Sequence, residues 1–375
     1  MIRFKPCQQF LIVQLISNGD CLYATTVARQ IKNDYPNCHL TWAVSSMCRK
    51  TLDLNPYIDE IWEVPFFQKE DVLKFWWKFE KEIYLRKKRK DFDEIFITQF
   101  VPGHLENYDG LNRSTIFRAY PNPITVPVAP VLYLSTEEIK NVTDFVNKHQ
   151  IQDKYIMLFE CSPQSDQSFI DINFALEVSK KITKLFNDVY IILSSNISIS
   201  QLDDHILDGS VISFRENAEL IKYCSLLIGC SSGITWLSTS TWSKKIPTIQ
   251  LLKAKPFWFA SVTYDHNCWG LSTEHIIEMT ECSTEIVSNC VKTIIESGFS
   301  IAKSKYNQQL SPNLNYYGYI LRDFLLRFQI DKAIKFIKIN TNKYGKYRLI
   351  KWHLLKLVLF LPFLPWRIYK KLKCS

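Results

Sequence analysis

Several motifs that identify common classes of protein are missing from this sequence. Glycine is scarce, with 10 residues in 375, and no G-x-G-x-x-G run follows the first apolar segment. That absence argues against a dinucleotide-dependent dehydrogenase. The 11 cysteines include no C-x-x-C pair, so the ligand spacing of zinc fingers and ribbons is absent too. Their number is odd, and several lie beside apolar runs, as is typical of small core residues. Free cysteines indicate a reducing compartment, so we expect a cytoplasmic protein.

Long hydrophobic runs are also missing, and most of the chain lacks an excess of either charge. The apolar run Phe10–Val13 is too short for the core of a signal peptide. Residues 343–375 carry nine Lys or Arg and no Asp or Glu, which leaves 37 basic and 37 acidic residues in the rest. A neutral body argues against a nucleic-acid-binding protein.

The basic segment 343–375 lacks the ~20-residue apolar stretch of a membrane-spanning helix. Its uninterrupted apolar run Leu357–Leu361 has five residues, and two prolines lie nearby. Trp352 and Trp366, flanked by Lys and Arg, are typical of a segment in the headgroup region of an anionic membrane. The alternative is a terminal helix packed on the body with a solvated basic end.

What the sequence does contain is an alternation of short apolar runs with segments of helical periodicity. Strands are predicted at 9–16, 39–44, 59–64, 93–98, 155–159, 189–193, 211–214, 226–228 and 246–251. Helices are predicted at 70–90, 136–149, 173–186 and 217–224. The alternation predicts parallel, doubly wound sheets, in two Rossmann-like βα domains facing each other across a cleft. The basic cluster Arg86–Lys90 is either a nucleic-acid patch or a solvated helix end, and neighbouring glutamates favour the helix end.

One stretch, Ser225–Leu252, reads as strand, small-residue turn, helix and strand. The turn Gly229–Gly233 places two hydroxyls and several backbone N–H groups at a helix N-terminus, where the helix dipole favours an anion. We interpret it as a site for a phosphate-bearing ligand. The alternative is an ordinary serine-capped helix.

Two other polar segments follow predicted strands. Ser17-Asn18-Gly19-Asp20 follows the first, and the segment Glu160–Phe169 follows the strand at 155–159. If the sheets are parallel, these segments lie at the carboxyl edges, where ligands bind in open α/β sheets. Asp20 is either a general base or a helix N-cap. The segment Glu160–Phe169 is either a ligand loop or a simple polar loop.

These segments resemble the ADP-heptose:lipopolysaccharide heptosyltransferases of glycosyltransferase family 9. Residues 17–20, a helix ending near Pro36 and the sequence Asn55-Pro56-Tyr57-Ile58-Asp59-Glu60 are similar to the family's N-terminal half. Residues 217–233 and Ile246-Pro247-Thr248-Ile249 are similar to its C-terminal half. The resemblance covers roughly residues 9–255.

The resemblance implies a GT-B fold and transfer of a sugar from a nucleotide-sugar donor to a lipopolysaccharide or other surface-glycan acceptor. It gives Asp20 the role of base and places Ser17, Asn18 and Gly19 in an acceptor or phosphate loop. Neither a metal nor a cofactor is expected, the nucleotide-sugar being a co-substrate. The donor and its phosphates are expected to contact Ser162, Ser165, Gln167, Ser195, Ser231, Ser232, Gly233 and Thr235.

The expected organisation has four parts. Residues 1–135 form an acceptor domain, 136–300 a donor domain, 301–342 C-terminal helices, and 343–375 a basic, aromatic tail at the membrane interface. The expected location is the cytoplasmic side, peripheral on the inner face of the cell membrane.

The sequence departs from the family at three positions. Ser231, Trp236 and Gln167 stand where the family has an Asp, a His and a phosphate-binding Lys. Losing a cation and an imidazole argues against ADP-heptose as the donor and leaves other nucleotide sugars open. Two alternatives follow: a hexosyltransferase for capsule polysaccharide, or a non-catalytic nucleotide- or glycan-binding protein on the same fold.

The membrane hypothesis for 343–375 predicts that deleting this segment abolishes binding to anionic vesicles, because its cations and tryptophans supply the contact. Co-sedimentation with anionic liposomes measures this. Binding that survives the deletion contradicts the hypothesis.

Overall fold

The structure, a computed structural model, describes residues 7–65, 71–163, 165–200 and 202–350. Two β-sheets with only parallel pairings form its framework. The first sheet contains β1 (Gln9–Val13), β2 (His39–Ser45), β3 (Glu60–Val64) and β4 (Glu94–Ile97). The second contains β5 (Tyr155–Glu160), β6 (Val189–Ser194), β7 (Ile206–Asp208), β8 (Leu226–Gly229), β9 (Thr248–Leu252) and β10 (Ile276–Thr280). The prediction of an α/β fold with parallel sheets is confirmed.

Helices alternate with these strands and cover both faces of each sheet. In the first half they are α1 (Asn18–Asp34), α2 (Asp71–Lys88) and α3 (Asn112–Phe117). The second half has α4 (Thr136–His149), α5 (Ile172–Leu185), α6 (Asn217–Leu220), α7 (Gly233–Ser238), α8 (Val262–Cys268), α9 (Thr284–Ser297) and α10 (Phe299–Tyr306). Two more, α11 (Asn315–Leu326) and α12 (Ile330–Tyr344), follow. Short 3-10 helices span Arg49–Leu52 and Ile221–Tyr223.

Alternating side chains of β1 pack on opposite faces of the first sheet, as the two-residue period of a strand requires. Leu11 and Val13 join the apolar face of α2. Phe10 and Ile12 belong to a larger core that also contains α1 and one face of the second sheet. The two halves therefore share a continuous hydrophobic core.

One predicted strand is wrong. Residues 211–214 form no strand, and Val211 is 71% exposed. The edge strand is β7, whose Ile206 and Leu207 are buried and pair with β6. The predicted helix 217–224 is divided into α6 and a 3-10 turn. β10 was not predicted.

Each sheet contains a point at which the order of its strands reverses. The first sheet has the order β3-β2-β1-β4, so the reversal lies between β1 and β4. The second has the order β10-β9-β8-β5-β6-β7, so its reversal lies between β8 and β5. In open α/β sheets ligands bind outside the carboxyl ends of the strands at such points. The segments that follow β1, β5 and β8 are therefore the candidate ligand-binding segments of this fold.

The C-terminal helices return to the first half of the chain. A cluster of aromatic and aliphatic residues joins α11 and α12 to the buried Tyr108. Lys343 forms an ion pair with Asp109 at 2.9 Å, and the Tyr344 hydroxyl donates to the Asp109 carbonyl at 2.6 Å. The first two residues of the predicted tail thus belong to the last turn of α12.

Most of the predicted membrane-interface tail, residues 351–375, lies outside the described residues. None of the helices in the described ranges combines the length and the apolar character needed to cross a membrane.

Asn340 of α12 provides a test of the contact between the C-terminal helices and the first half of the chain. Its fully buried amide donates to the Tyr108 carbonyl at 2.9 Å and accepts from the Tyr316 hydroxyl at 2.8 Å. Asn340→Ala leaves two buried polar groups unpaired and should lower the free energy of unfolding by about 2 to 4 kcal/mol. Asn342→Ala, at an exposed position of the same helix, is the matched control. Equal melting temperatures for the two variants would contradict this packing.

Candidate active site

The segments after β1 and β8 meet at the boundary between the two halves. We call them the facing turns, residues 14–20 and 229–236. A Cβ added to Gly19 would lie 2.9 Å from Cδ1 of Trp236, and one added to Gly233 would lie 3.7 Å from the Asn18 Cβ. The approach of Trp236 to Gly19 requires glycine, since a Cβ there would displace the indole, whereas the distance from Gly233 to Asn18 is an ordinary van der Waals contact. At this point the two halves are in contact.

A buried aromatic and ionic cluster fixes the contact. The rings of Tyr23 and Trp236 lie 4.6 Å apart, and the Arg113 guanidinium lies 4.8 Å from the first ring and 5.6 Å from the second. Arg113 Nε lies 3.1 Å from Asp265 Oδ2, and both side chains are almost fully buried. Burial raises the pKa of Asp265 to about 6 despite the opposing charge of Arg113. Because Tyr23 and Arg113 come from the first half, the cluster joins α1 and α3 to α7 and α8.

The predicted residues of the first half lie together at the start of α1. Ser17 is the N-cap residue, with φ of 72° and no side-chain capping bond, and Asn18 Oδ1 accepts from Thr51. Asp20 lies in the first turn, half-buried, and accepts a hydrogen bond from Asn112 Nδ2 at 3.2 Å. The amide of α3 thus orients the candidate base.

The predicted residues of the second half differ in accessibility. Ser231 has φ of 51° and is 2% exposed, and its backbone N–H donates to Gln250 Oε1 at 2.7 Å. The Thr235 hydroxyl, also buried, donates to the same oxygen at 3.1 Å. Gly233 and Ser232 are only half-buried, and Ser232 donates to the Glu160 carboxyl group. Gln250 therefore holds the turn from within, and Ser232 and Gly233 form its more accessible part.

Glu160 is a buried carboxyl at the carboxyl end of β5, beside the reversal point. Oε2 accepts from the Cys230 backbone N–H at 3.2 Å. Burial raises the pKa of Glu160 to about 8, and the Cys230 hydrogen bond only partly opposes this. The group is thus mostly protonated at neutral pH, which leaves the turn after β8 without a negative charge beneath it.

The other predicted donor residues lie in loops along the same edge of the second sheet. Ser162 accepts from the Asn196 N–H at 3.1 Å, which joins the loop after β5 to the loop that begins at Ser195. The Ser165 hydroxyl is buried and has no hydrogen-bond partner among the residues that the structure describes. Gln167 Nε2 donates to the Phe259 carbonyl at 3.4 Å. Its amide is therefore directed toward the segment after β9.

Sequence reasoning missed four residues of this region. Lys253, directly after β9, forms an ion pair with Asp166 and donates its backbone N–H to the Gln167 carbonyl. It places a cation beside the position where the family's lysine is absent.

Arg113 also went unnoticed, and Glu160 and Gln250 were given no role although they lie in segments that the sequence singled out. The partners of Arg113 and Glu160 are distant in sequence, whereas Gln250 is buried inside β9 and binds Ser231 and Thr235.

A cavity of about 210 Å³ lies on the inner side of α7, toward the amino ends of β9 and β10. Thr235 and Gln250 separate it from the turn, and Arg113 and His266 line it. Burial lowers the pKa of His266 to about 4, so this imidazole is neutral at pH 7. The cavity is away from the carboxyl edge where a ligand of this fold is expected.

Within the described ranges, no group of three His, Cys, Asp or Glu side chains is placed to hold a metal ion. Asp91 and Asp93, spaced as in Asp-x-Asp metal motifs, lie at the amino end of β4, and Asp93 accepts from the Gln9 N–H at 2.8 Å. They are at the opposite edge of the sheet from the facing turns. Independence from metal stays a prediction.

Comparisons with known proteins identify the architecture. No protein-family model matches the sequence, and no curated protein matches it significantly. Among solved structures, a glycosyl transferase family 9 protein from Veillonella parvula is similar, with a TM-score of 0.53 and 12% identity. The match covers 78% of this chain and 91% of that chain. The protein has the GT-B fold.

Two further solved structures agree with this GT-B assignment. E. coli ADP-heptose lipopolysaccharide heptosyltransferase II has a TM-score of 0.50 and 13% identity, over 77% of this chain and 98% of that chain. E. coli heptosyltransferase WaaC with ADP has a TM-score of 0.50 and 10% identity, over 78% and 100% of the two chains. At identities this low, the likeness is one of fold.

Glu160 makes the stability of the GT-B protein depend on pH. This carboxyl ionises near pH 4.5 in the unfolded chain and near pH 8 in the folded one. The contribution of Glu160 to the free energy of unfolding is fully present below about pH 4.5 and is lost as the pH rises through about 8. Between these values the folded state keeps the proton that the unfolded state has released. Glu160→Gln stays neutral and should lack this loss, which is on the order of a few kcal/mol.

Melting temperatures at about pH 5 and about pH 9 measure the effect. Glu296→Gln, at an exposed position of α9, is the control and should follow the native protein. The same fall in melting temperature for Glu160→Gln and the native protein contradicts the neutral, buried carboxyl.

Proposed function

We propose that the protein is a glycosyltransferase that moves a sugar from a nucleotide-sugar donor to a lipopolysaccharide or other surface-glycan acceptor. The observation that carries this proposal is the meeting of two reversal points, with Asp20 on one side and the hydroxyl-bearing turn after β8 on the other. The GT-B fold supports the proposal, since enzymes that use nucleotide sugars, such as the heptosyltransferases named above, have this fold.

The donor side suits a diphosphate. Ser232 and Gly233 lie at the N-terminus of α7, where unpaired N–H groups favour an anion. The protonated Glu160 removes the repulsion that a carboxylate would exert on the phosphates. Lys253, at the same sheet edge, is our candidate for the cation that Gln167 does not supply. Ser162, Ser165 and Ser195 complete the proposed donor contacts.

The acceptor side needs a base for the attacking hydroxyl, and Asp20 takes that role in our proposal. Its position at the first turn of α1 and its hydrogen bond from Asn112 give the carboxylate a defined orientation. Ser17, Asn18 and Gly19 form the backbone beside it. Transfer without a metal would then depend on N–H groups, hydroxyls and Lys253 to stabilise the leaving diphosphate.

The proposed setting is the cytoplasmic side of the cell membrane, where a lipid-linked acceptor is reached from the surface. Residues 343–375 are proposed to contribute a contact with the anionic inner face. No role in nucleic-acid binding is proposed, because the charge of residues 1–342 is balanced.

A non-catalytic nucleotide- or glycan-binding protein is the second candidate. The observation that favours it is Trp236, which lies against Gly19 beside the candidate base. A hexosyltransferase for capsule polysaccharide is the alternative within the transferase class, since Ser231, Trp236 and Gln167 do not favour heptose.

Asp20→Asn tests the proposed chemistry. The variant keeps the size of the side chain but removes the base, so turnover should fall about a hundredfold or more. A panel of nucleotide sugars is first screened by thermal shift, and a donor that stabilises the protein is then used to measure release of nucleoside diphosphate. Asp91→Asn, an exposed carboxylate at the opposite sheet edge, is the control and should retain native turnover.

The outcomes separate the candidates. Equal turnover in Asp20→Asn and the native protein removes Asp20 as the base. Stabilisation by a nucleotide without turnover of any donor favours the non-catalytic binding protein.

A further inference from the structure

Helix α2 has apolar side chains on two opposite sides. Its inner side, with Val72, Trp76, Phe79 and Ile83, packs on the first sheet. Its outer side also carries large apolar residues, Leu73, Trp77, Tyr84 and Leu85, which are 61%, 68%, 68% and 39% exposed. Single exposed apolar residues are ordinary, but a group on one helix face marks a contact surface.

The exposed charged residues between these apolar residues are lysines, although the Glu80 and Glu82 side chains remain 46% and 42% exposed. The acidic residues of α2 are half-buried: Glu80 binds His104 at 2.5 Å, Glu82 binds Arg86 at 2.9 Å, and Asp71 lies 3.7 Å from Lys74. Four exposed lysines occupy the outer side, Lys74, Lys78, Lys81 and Lys88. These lysines and the four apolar residues together form what we call the α2 outer face.

The spacing within the α2 outer face produces a continuous surface. Leu73, Trp77 and Tyr84 are separated by four and seven residues, which places them in one row along the helix. With a rise of about 1.5 Å per residue the row is roughly 16 Å long. The lysines lie beside this row, so apolar and cationic groups are presented on the same side.

We propose that the α2 outer face docks the protein on an anionic membrane surface. Tryptophan and tyrosine prefer the region between headgroups and acyl chains, leucine enters the acyl region, and lysine binds anionic headgroups while its stem covers apolar surface. A nucleic acid would also attract lysines and stack on aromatic rings, but it would leave Leu73 and Leu85 in water. The leucines therefore favour the membrane.

This inference is independent of the sugar-transfer proposal. The α2 outer face would act together with residues 343–375, with neither contact sufficient alone for stable binding to the membrane. It assigns a membrane contact to the folded first half, on the helix that precedes β4. It also gives a role to Lys88 in the basic end of α2, which the sequence pattern favoured as a solvated helix end.

The test is co-sedimentation of the full-length protein with phosphatidylcholine vesicles, with and without about one third phosphatidylglycerol. The native protein should partition onto the anionic vesicles and weakly onto the neutral ones. Because each lysine near an anionic surface contributes about 1 kcal/mol, Lys78→Glu/Lys81→Glu should lower the partition coefficient tenfold or more. The matched control is Lys180→Glu/Lys184→Glu on α5, beside the 53% exposed Leu185, and it should stay within about twofold of native.

A second pair of variants tests the apolar part. Trp77→Ser should lower partitioning about fivefold or more, and Trp77→Phe should retain most of it. All of these positions are exposed, so melting temperatures should equal that of the native protein, which excludes unfolding as the cause. Asp20→Asn should bind vesicles as the native protein does, which separates this proposal from the proposed chemistry.

Three results would overturn the proposal. The first is native partitioning in Lys78→Glu/Lys81→Glu, which would assign the membrane contact to another part of the chain. The second is an absence of native binding to anionic vesicles. The third is a native protein that binds an oligonucleotide but no vesicles, together with loss of that oligonucleotide binding in Lys78→Glu/Lys81→Glu. This result would assign the face to a nucleic acid.

Discussion

The packing of Trp236 against Tyr23 and Arg113 is the contact on which the arrangement of the two halves depends. The indole lies against Gly19, its ring is 4.6 Å from that of Tyr23, and the guanidinium of Arg113 covers both rings. A buried guanidinium is costly without a compensating charge, and Asp265 supplies one at 3.1 Å. Since these side chains come from α1, α3, α7 and α8, the cluster sets the distance between the segments that follow β1 and β8.

That distance determines what the site can do. The facing turns bring Asp20 and the hydroxyl-bearing turn to one boundary, while Gln250 and Glu160 hold the turn from within the second sheet. The neutral state of Glu160 is central to the proposed site, because a carboxylate there would repel the phosphates that we propose to bind at the α7 N-terminus. Trp236, which packs the two halves together, also stands where glycosyltransferase family 9, which the sequence resembles, has a histidine. Sugar transfer in this GT-B protein would thus use a differently composed donor site.

Much of the fold was predictable because its signals are local. Alternating apolar runs and helical periods predicted the parallel sheets, and the small-residue turns marked the strand ends where the candidate residues lie. The prediction of a strand at 211–214 was wrong because Val211 and Ile212 are residue types common in strands. The actual edge strand, β7, is only three residues long and is flanked mostly by polar residues, so it has little apolar signal. The contact of α12 with Asp109 and the roles of Arg113 and Glu160 depend on partners 70 or more residues away. The role of Gln250 depends on its burial inside an apolar strand. Such contacts leave no local pattern.

The most direct test of the account is hydrogen–deuterium exchange of the native protein with and without the nucleotide that stabilises it most. The account predicts slower exchange in the segments after β1, β5 and β8, because a donor at the facing turns orders their backbone N–H groups. Protection confined to other parts of the chain, such as the cavity on the inner side of α7, would contradict it.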